Sequence, residues 1–109
     1  MGRFFQVNEG DVPWFEYHEP GDEQVHIRVK ALTRKHPDVP PVQYVEYAPG
    51  HADPVHSHDT GEFFVVTDGE LWLDDTPSRA GSIVFIPRDV EYSVRSGDEG
   101  VRFFRVVVP

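Results

Sequence analysis

Ten prolines and nine glycines interrupt this 109-residue chain every few residues, which leaves little room for a helix. No segment places apolar residues at i, i+3, i+4 and i+7 over several turns. Short β-rich runs recur instead, at Gln24–Leu32, Val42–Ala48, Glu62–Thr67, Glu70–Leu73, Ser82–Ile86, Tyr92–Arg95 and Val101–Val108. Turn-forming stretches bound them: Pro49-Gly50, Asp68-Gly69, Asp74-Asp75-Thr76-Pro77, Pro87-Arg88-Asp89 and Gly97-Asp98-Glu99-Gly100. Asp68-Gly69 between two such runs predicts a tight hairpin. About seven short strands at even spacing predict an all-β antiparallel sandwich or barrel.

The chain reads as one domain, with residues 41–109 as the barrel core and residues 1–40 as an N-terminal extension. Within the extension, Val12–Tyr17 has the composition of an edge strand, packed on the barrel or on a second subunit. Trp14, Phe15 and Tyr17 are too apolar to leave on a bare edge, so a homodimer is expected. Phe63, Phe85, Phe103 and Phe104 read as barrel packing. Nineteen acidic residues against ten basic ones give a net charge of −9, which disfavours nucleic acid and anionic membrane as partners. There is no cysteine, so disulfides, thiolate ligands and Cys nucleophiles are excluded. The longest apolar runs, Phe63–Val66 and Ile83–Ile86, are too short to span a bilayer. The N-terminal MGRFFQ lacks an apolar signal region, and a cytoplasmic location is expected.

The residues that carry chemistry lie near the middle. His56 and His58 are two apart, and on a strand both imidazoles face one way. Glu62 follows on the same parity. Two imidazoles and a carboxylate on one face suit a divalent transition metal with open coordination positions. An isolated His-x-His pair is as readily a polar surface strand. This pair is not isolated. Gly50, His56, His58, Glu62 and Gly69 read G-x5-H-x-H-x3-E-x6-G, which resembles the first signature motif of the cupin superfamily at every defining position. The second cupin motif, G-x5-P-x-G-x2-H-x3-N, is matched at Gly81 and Pro87, while Asp89, Tyr92 and Ser96 stand for its glycine, histidine and asparagine. Asp tolerates the positive φ that the glycine position implies. Tyr92 replaces the family's usual fourth metal ligand.

The resemblance implies a double-stranded β-helix, a jelly-roll barrel, holding one divalent metal ion through His56, His58 and Glu62. Iron is the first expectation, with manganese, nickel, cobalt and zinc as alternatives. It also implies a small-molecule substrate or ligand. Three protein ligands on an octahedral ion leave room for a bidentate substrate and O2, so dioxygenase-type oxidoreductase chemistry is expected first. The alternatives are a zinc-type isomerase, cyclase or hydro-lyase, and a non-catalytic binding or sensing module. Tyr92 is the candidate catalytic residue and has three readings. It is a phenolate ligand, a donor to a bound water or substrate, or a filler of the lost ligand's space; an ordinary phenol pKa near about 10 disfavours the first. His51, just after Pro49-Gly50, is a further candidate ligand at the barrel mouth.

Overall fold

The computed structural model describes Gly2 and residues 4–109; Met1 and Arg3, at the start of the expected extension, lie outside the described residues. Eight strands form: β1 (Phe15–Tyr17), β2 (Ile27–Ala31), β3 (Val42–Tyr47), β4 (Ala52–His56), β5 (Gly61–Leu73), β6 (Thr76–Arg79), β7 (Ile83–Ile86) and β8 (Tyr92–Val108). Among the described residues the only helical turn is a short 3-10 segment, Glu9–Asp11, capped by the Asn8 side chain. Every strand pairing is antiparallel, in the order β1-β2-β3-β8-β5-β6, with β4 also on β8 and β7 also on β5. The Val12–Tyr17 stretch does supply an edge strand, β1.

Two long strands make this a closed jelly roll. The last half of β8 pairs β3 and the first half of β5; its first half pairs β4 and the far half of β5. Each long strand therefore serves both layers and must bend between them. The bends fall at Asp68-Gly69 and Gly97–Gly100, two of the five stretches expected to be turns. Both lie inside continuous strands. The pairing register shifts between Val66 and Asp68 and again between Gly69 and Leu71, which marks bulges. Gly69 and Gly100 hold φ of +73° and +79°, and a Cβ on Gly69 would overlap the Gly100 carbonyl. The Asp-Gly pair thus permits a close crossing of two backbones, where its chemistry had predicted a hairpin. The hairpin itself comes later, at Asp74-Asp75 between β5 and β6.

The interior is filled by Val45, Phe64, Val66, Leu71, Ile86, Tyr92, Val94, Val101 and Phe103. Strand alternation decides the phenylalanines. Phe64 and Phe103 point inward, whereas Phe63 and Phe85 lie on the outer face against each other, with ring centroids 4.9 Å apart. The expectation that Phe63, Phe85, Phe103 and Phe104 are barrel packing holds for Phe103 and is corrected for Phe63 and Phe85. Outside the barrel, Trp14 stacks on Tyr44, which stacks on Phe104. Arg28, Lys30 and Arg102 surround the indole, and Glu46 bridges Arg28 and Arg102. Trp14 is therefore packed on its own chain, while Phe15 and Tyr17 are left exposed on β1.

The crossing of β5 and β8 yields a stability prediction. Gly69→Ala should cost at least about 3 kcal/mol, because strain at positive φ adds to a backbone overlap that neither strand can relieve. Gly81→Ala, at φ +93° but with open space around it, should cost only about 1–2 kcal/mol. Urea midpoints of the two variants check the ranking.

Candidate metal centre

His56 ends β4 and lies in register opposite Tyr92, the first residue of β8. Their rings are 4.6 Å apart. The His56 Nδ1 atom is 2.8 Å from the Pro54 carbonyl, to which it donates, and this leaves the Nε2 lone pair available. His58 follows in the loop to β5, its ring 5.0 Å from that of His56. Its backbone is pinned from the far side, since the Asp89 N–H donates to the His58 carbonyl at 2.7 Å. Asp89 holds φ of +63°, so it does take the glycine position of the second motif. Ser96, at the motif's asparagine position, also has a structural task. Its hydroxyl donates to the Ala48 carbonyl and accepts from the His51 N–H, closing the turn around Gly50 that leads into β4.

Glu62 completes the cluster from β5 and is 1% exposed. Its Oε1 accepts from the Tyr92 hydroxyl at 3.2 Å and lies 3.5 Å from His58 Nε2. Its Oε2 accepts from Arg105 Nε, and the Arg105 guanidinium also donates to Gln43 at 3.2 Å. Burial pushes the Tyr92 phenol pKa upward, and the neighbouring Glu62 carboxylate adds to the shift by its charge and hydrogen bond. Tyr92 is accordingly a neutral donor in this arrangement. His56, His58, Tyr92, Arg105 and Gln43 line a cavity of about 290 Å³ together with Val29, Val45, Phe64, Val94 and Phe103, and Glu62 lies buried behind that lining. That size lies at the bottom of the ligand-site range of roughly 300–1,000 Å³, so only a small molecule fits.

The donor set can be tested against a divalent ion. Two ligands each about 2.1 Å from a tetrahedral metal stand about 3.4 Å apart. His58 Nε2 and Glu62 Oε1 have that spacing, and the free Nε2 of His56 is the right kind of third donor. Two imidazole nitrogens and one carboxylate oxygen fit such an ion chemically. Among the described residues, however, no three His, Asp or Glu side chains stand together tightly enough to hold one. The carboxylate is drawn instead between Arg105 and Tyr92. His51 takes no part: its Nε2 is 2.9 Å from Asp53, and it is outside the cavity wall.

Sequence reasoning missed Arg105, Gln43 and Tyr47, all of which line the cavity. The signal was present. Val101, Phe103 and Arg105 share one parity on β8, as do Gln43, Val45 and Tyr47 on β3, so the alternation that marks the core also marks these polar residues. Tyr47 is held by Asp53, its hydroxyl donating at 3.3 Å, and burial followed by the Asp53 charge pushes its pKa upward.

A family model for the cupin domain matches residues 43–108. The chain belongs to the cupin family. Dimethylsulfoniopropionate lyase DddW from Ruegeria pomeroyi is 37% identical to this cupin over 62 residues, covering 53% of the chain and 41% of that protein. The match therefore spans well under half of the relative's length. Among solved structures, the polyketide cyclase RemF from Streptomyces resistomycificus superposes with a TM-score of 0.77 at 23% identity, over 95% of this chain and 78% of that one. KdgF from Halomonas sp. gives 0.76 at 18% identity, over 100% and 94%. At such identities the two structures show the shared fold.

If His56, His58 and Glu62 hold an ion as the motif implies, His58→Ala should lose stoichiometric zinc while the barrel stays folded. Elemental analysis after zinc loading, with circular dichroism as the folding control, checks this; a full equivalent of zinc retained in the variant refutes the assignment.

Proposed function

We propose that this cupin is a metal-dependent enzyme acting on a small oxygen-bearing organic molecule, with lyase- or cyclase-type proton-transfer chemistry ahead of dioxygenation. The observation that carries this reading is Tyr92. A fourth imidazole at that position would only add a ligand, whereas the phenol brings a proton into the cavity and is held there by Glu62. His56, His58 and Glu62 Oε1 are the proposed ligands of one divalent ion. When bound, that ion supplies Lewis-acid polarisation of a substrate oxygen. Tyr92 Oη would turn its hydroxyl from Glu62 Oε1 to the substrate and donate a hydrogen bond to the oxygen that gains electron density. The small cavity, apolar on one part of its wall, would hold the substrate close to the hydroxyl. The likeness to a lyase, over 41% of that protein's length, supports a lyase-type reaction.

Dioxygenation is retained as the second reading, because three protein ligands leave open positions for O2. The experiment separates the two. Protein loaded with zinc or with iron is screened against small unsaturated, keto and hydroxy acids, diketones and catechols, by product detection and oxygen uptake. Turnover by the zinc form without oxygen uptake supports the proposal; turnover that needs iron and consumes oxygen establishes the second reading. Binding without turnover in either form assigns a non-catalytic module. Tyr92→Phe should keep its metal and lose about 10–100-fold in turnover; unchanged turnover would reduce Tyr92 to a space filler.

The proposal includes a homodimer. β1 ends the sheet, and Phe15 and Tyr17 on it are 69% and 44% exposed. Sedimentation at micromolar concentration should give a species twice the 12.5 kDa chain mass. A 12.5 kDa species alone refutes the dimer.

A further inference from the structure

Glu62 presents a physical problem that the metal reading leaves open. Its carboxylate is 1% exposed, inside a barrel whose neighbouring side chains are Phe64, Ile86 and other core residues. A buried carboxylate without a partner is costly enough to unfold a domain of this size. For the chain to fold without an ion, something in the chain itself has to balance that charge. Tyr92 supplies a hydrogen bond but no charge. His58 is at ion-pair distance from Oε1, but that same oxygen and nitrogen are the two atoms at ligand spacing. Arg105 is the fixed cation. It donates through Nε to Oε2, the oxygen facing away from His58, and is tethered by its second donor to Gln43 on β3. The guanidinium is itself largely buried, with its side chain 24% exposed.

We propose that Arg105 is a positioning residue for Glu62, with two consequences. It is the internal counter-ion that lets the barrel fold empty. By occupying Oε2 it also leaves Oε1 alone to face the histidines, so Glu62 serves an ion through one oxygen. The proposal rests on the metal-site reading above. An ion and Arg105 then share one carboxylate. Two cations drawing on the same anion weaken each other, so Arg105 stabilises the empty protein and at the same time lowers its affinity for metal.

Thermal unfolding of the full chain, with and without a fixed excess of free zinc, tests this. Wild type should gain Tm on zinc addition, by mass action on the folded state. Arg105→Met, which keeps length and removes charge, should lose about 10 °C or more without zinc. At the same free zinc concentration it should gain more than wild type does, because the ion no longer competes. Arg105→Lys should fall between the two, since it restores the charge without the two-point tether. Should Arg105→Met fail to fold, the double variant Glu62→Gln/Arg105→Met decides. With the buried charge gone, it should recover most of the lost Tm and show no zinc response. The inference is overturned if Arg105→Met matches wild type without zinc, if its zinc response is equal or smaller, or if the double variant is as unstable as the single. A wild type that ignores zinc altogether overturns the metal reading and this inference with it. A wild type that responds beside an Arg105→Met variant that behaves identically overturns this inference alone.

Discussion

The buried carboxylate of Glu62 is the constraint around which the interior is arranged. Three strands contribute to its surroundings: β5 carries it, β8 supplies Tyr92 at one end and Arg105 near the other, and β3 supplies Gln43 to steady the arginine. Because β8 runs seventeen residues and serves both layers, a single strand can deliver a phenol and a guanidinium to opposite oxygens of one carboxylate. That geometry depends on the bends at Gly69 and Gly100: a Cβ on Gly69 would meet the Gly100 carbonyl of the other long strand, and one on Gly100 would meet the Tyr47 carbonyl of β3. The backbone permissiveness of two glycines and the electrostatics of one glutamate are therefore linked. Without the bends, Tyr92 and Arg105 would lie along one straight strand and could not both reach Glu62.

The all-β class was legible in the sequence because proline and glycine punctuation and period-2 alternation act locally. The family was legible because Gly50, His56, His58, Glu62 and Gly69 have fixed spacing. Asp68-Gly69 and Gly97–Gly100 were misread for one shared reason. The chemistry that permits positive φ at a hairpin turn also permits it at a bulge, and the choice between them is made by the partner strand, which local sequence does not contain. Phe63 and Phe85 read as barrel packing, whereas Phe63 has the opposite parity to inward-facing Glu62 and Phe64 and so lies outside, against Phe85.

The partners of Glu62 were hidden for a different reason. Gln43 and Arg105 lie 19 residues before and 43 residues after it, and no motif spans those separations. Arg105 also carries the wrong prior, since arginine is seldom buried and reads as a surface residue in a strand. Its parity with Val101 and Phe103 outweighs that prior, because an ordered strand cannot turn one side chain to the other face without slipping its whole register.

Tyr92 unites these points. In register it faces His56 across the β4–β8 pair, so whatever residue stands there is aimed at the histidine cluster. A histidine at that position ends in a short ring able to give a lone pair. A tyrosine is longer, gives a proton instead, and reaches across the interior to Glu62 on β5. The replacement therefore changes more than the number of candidate ligands. It ties the wall formed by β4 and β8 to β5 through a hydrogen bond, and it gives Glu62 a second donor beside Arg105. Each donor draws electron density from the carboxylate. A cluster with two imidazoles and a carboxylate held in this way is a weaker donor set than three imidazoles and an unengaged carboxylate, and would leave a cation held there more electron-poor. Weak donation suits polarising a substrate oxygen better than it suits holding an ion tightly, and Tyr92 and Arg105 both shift the balance in that direction.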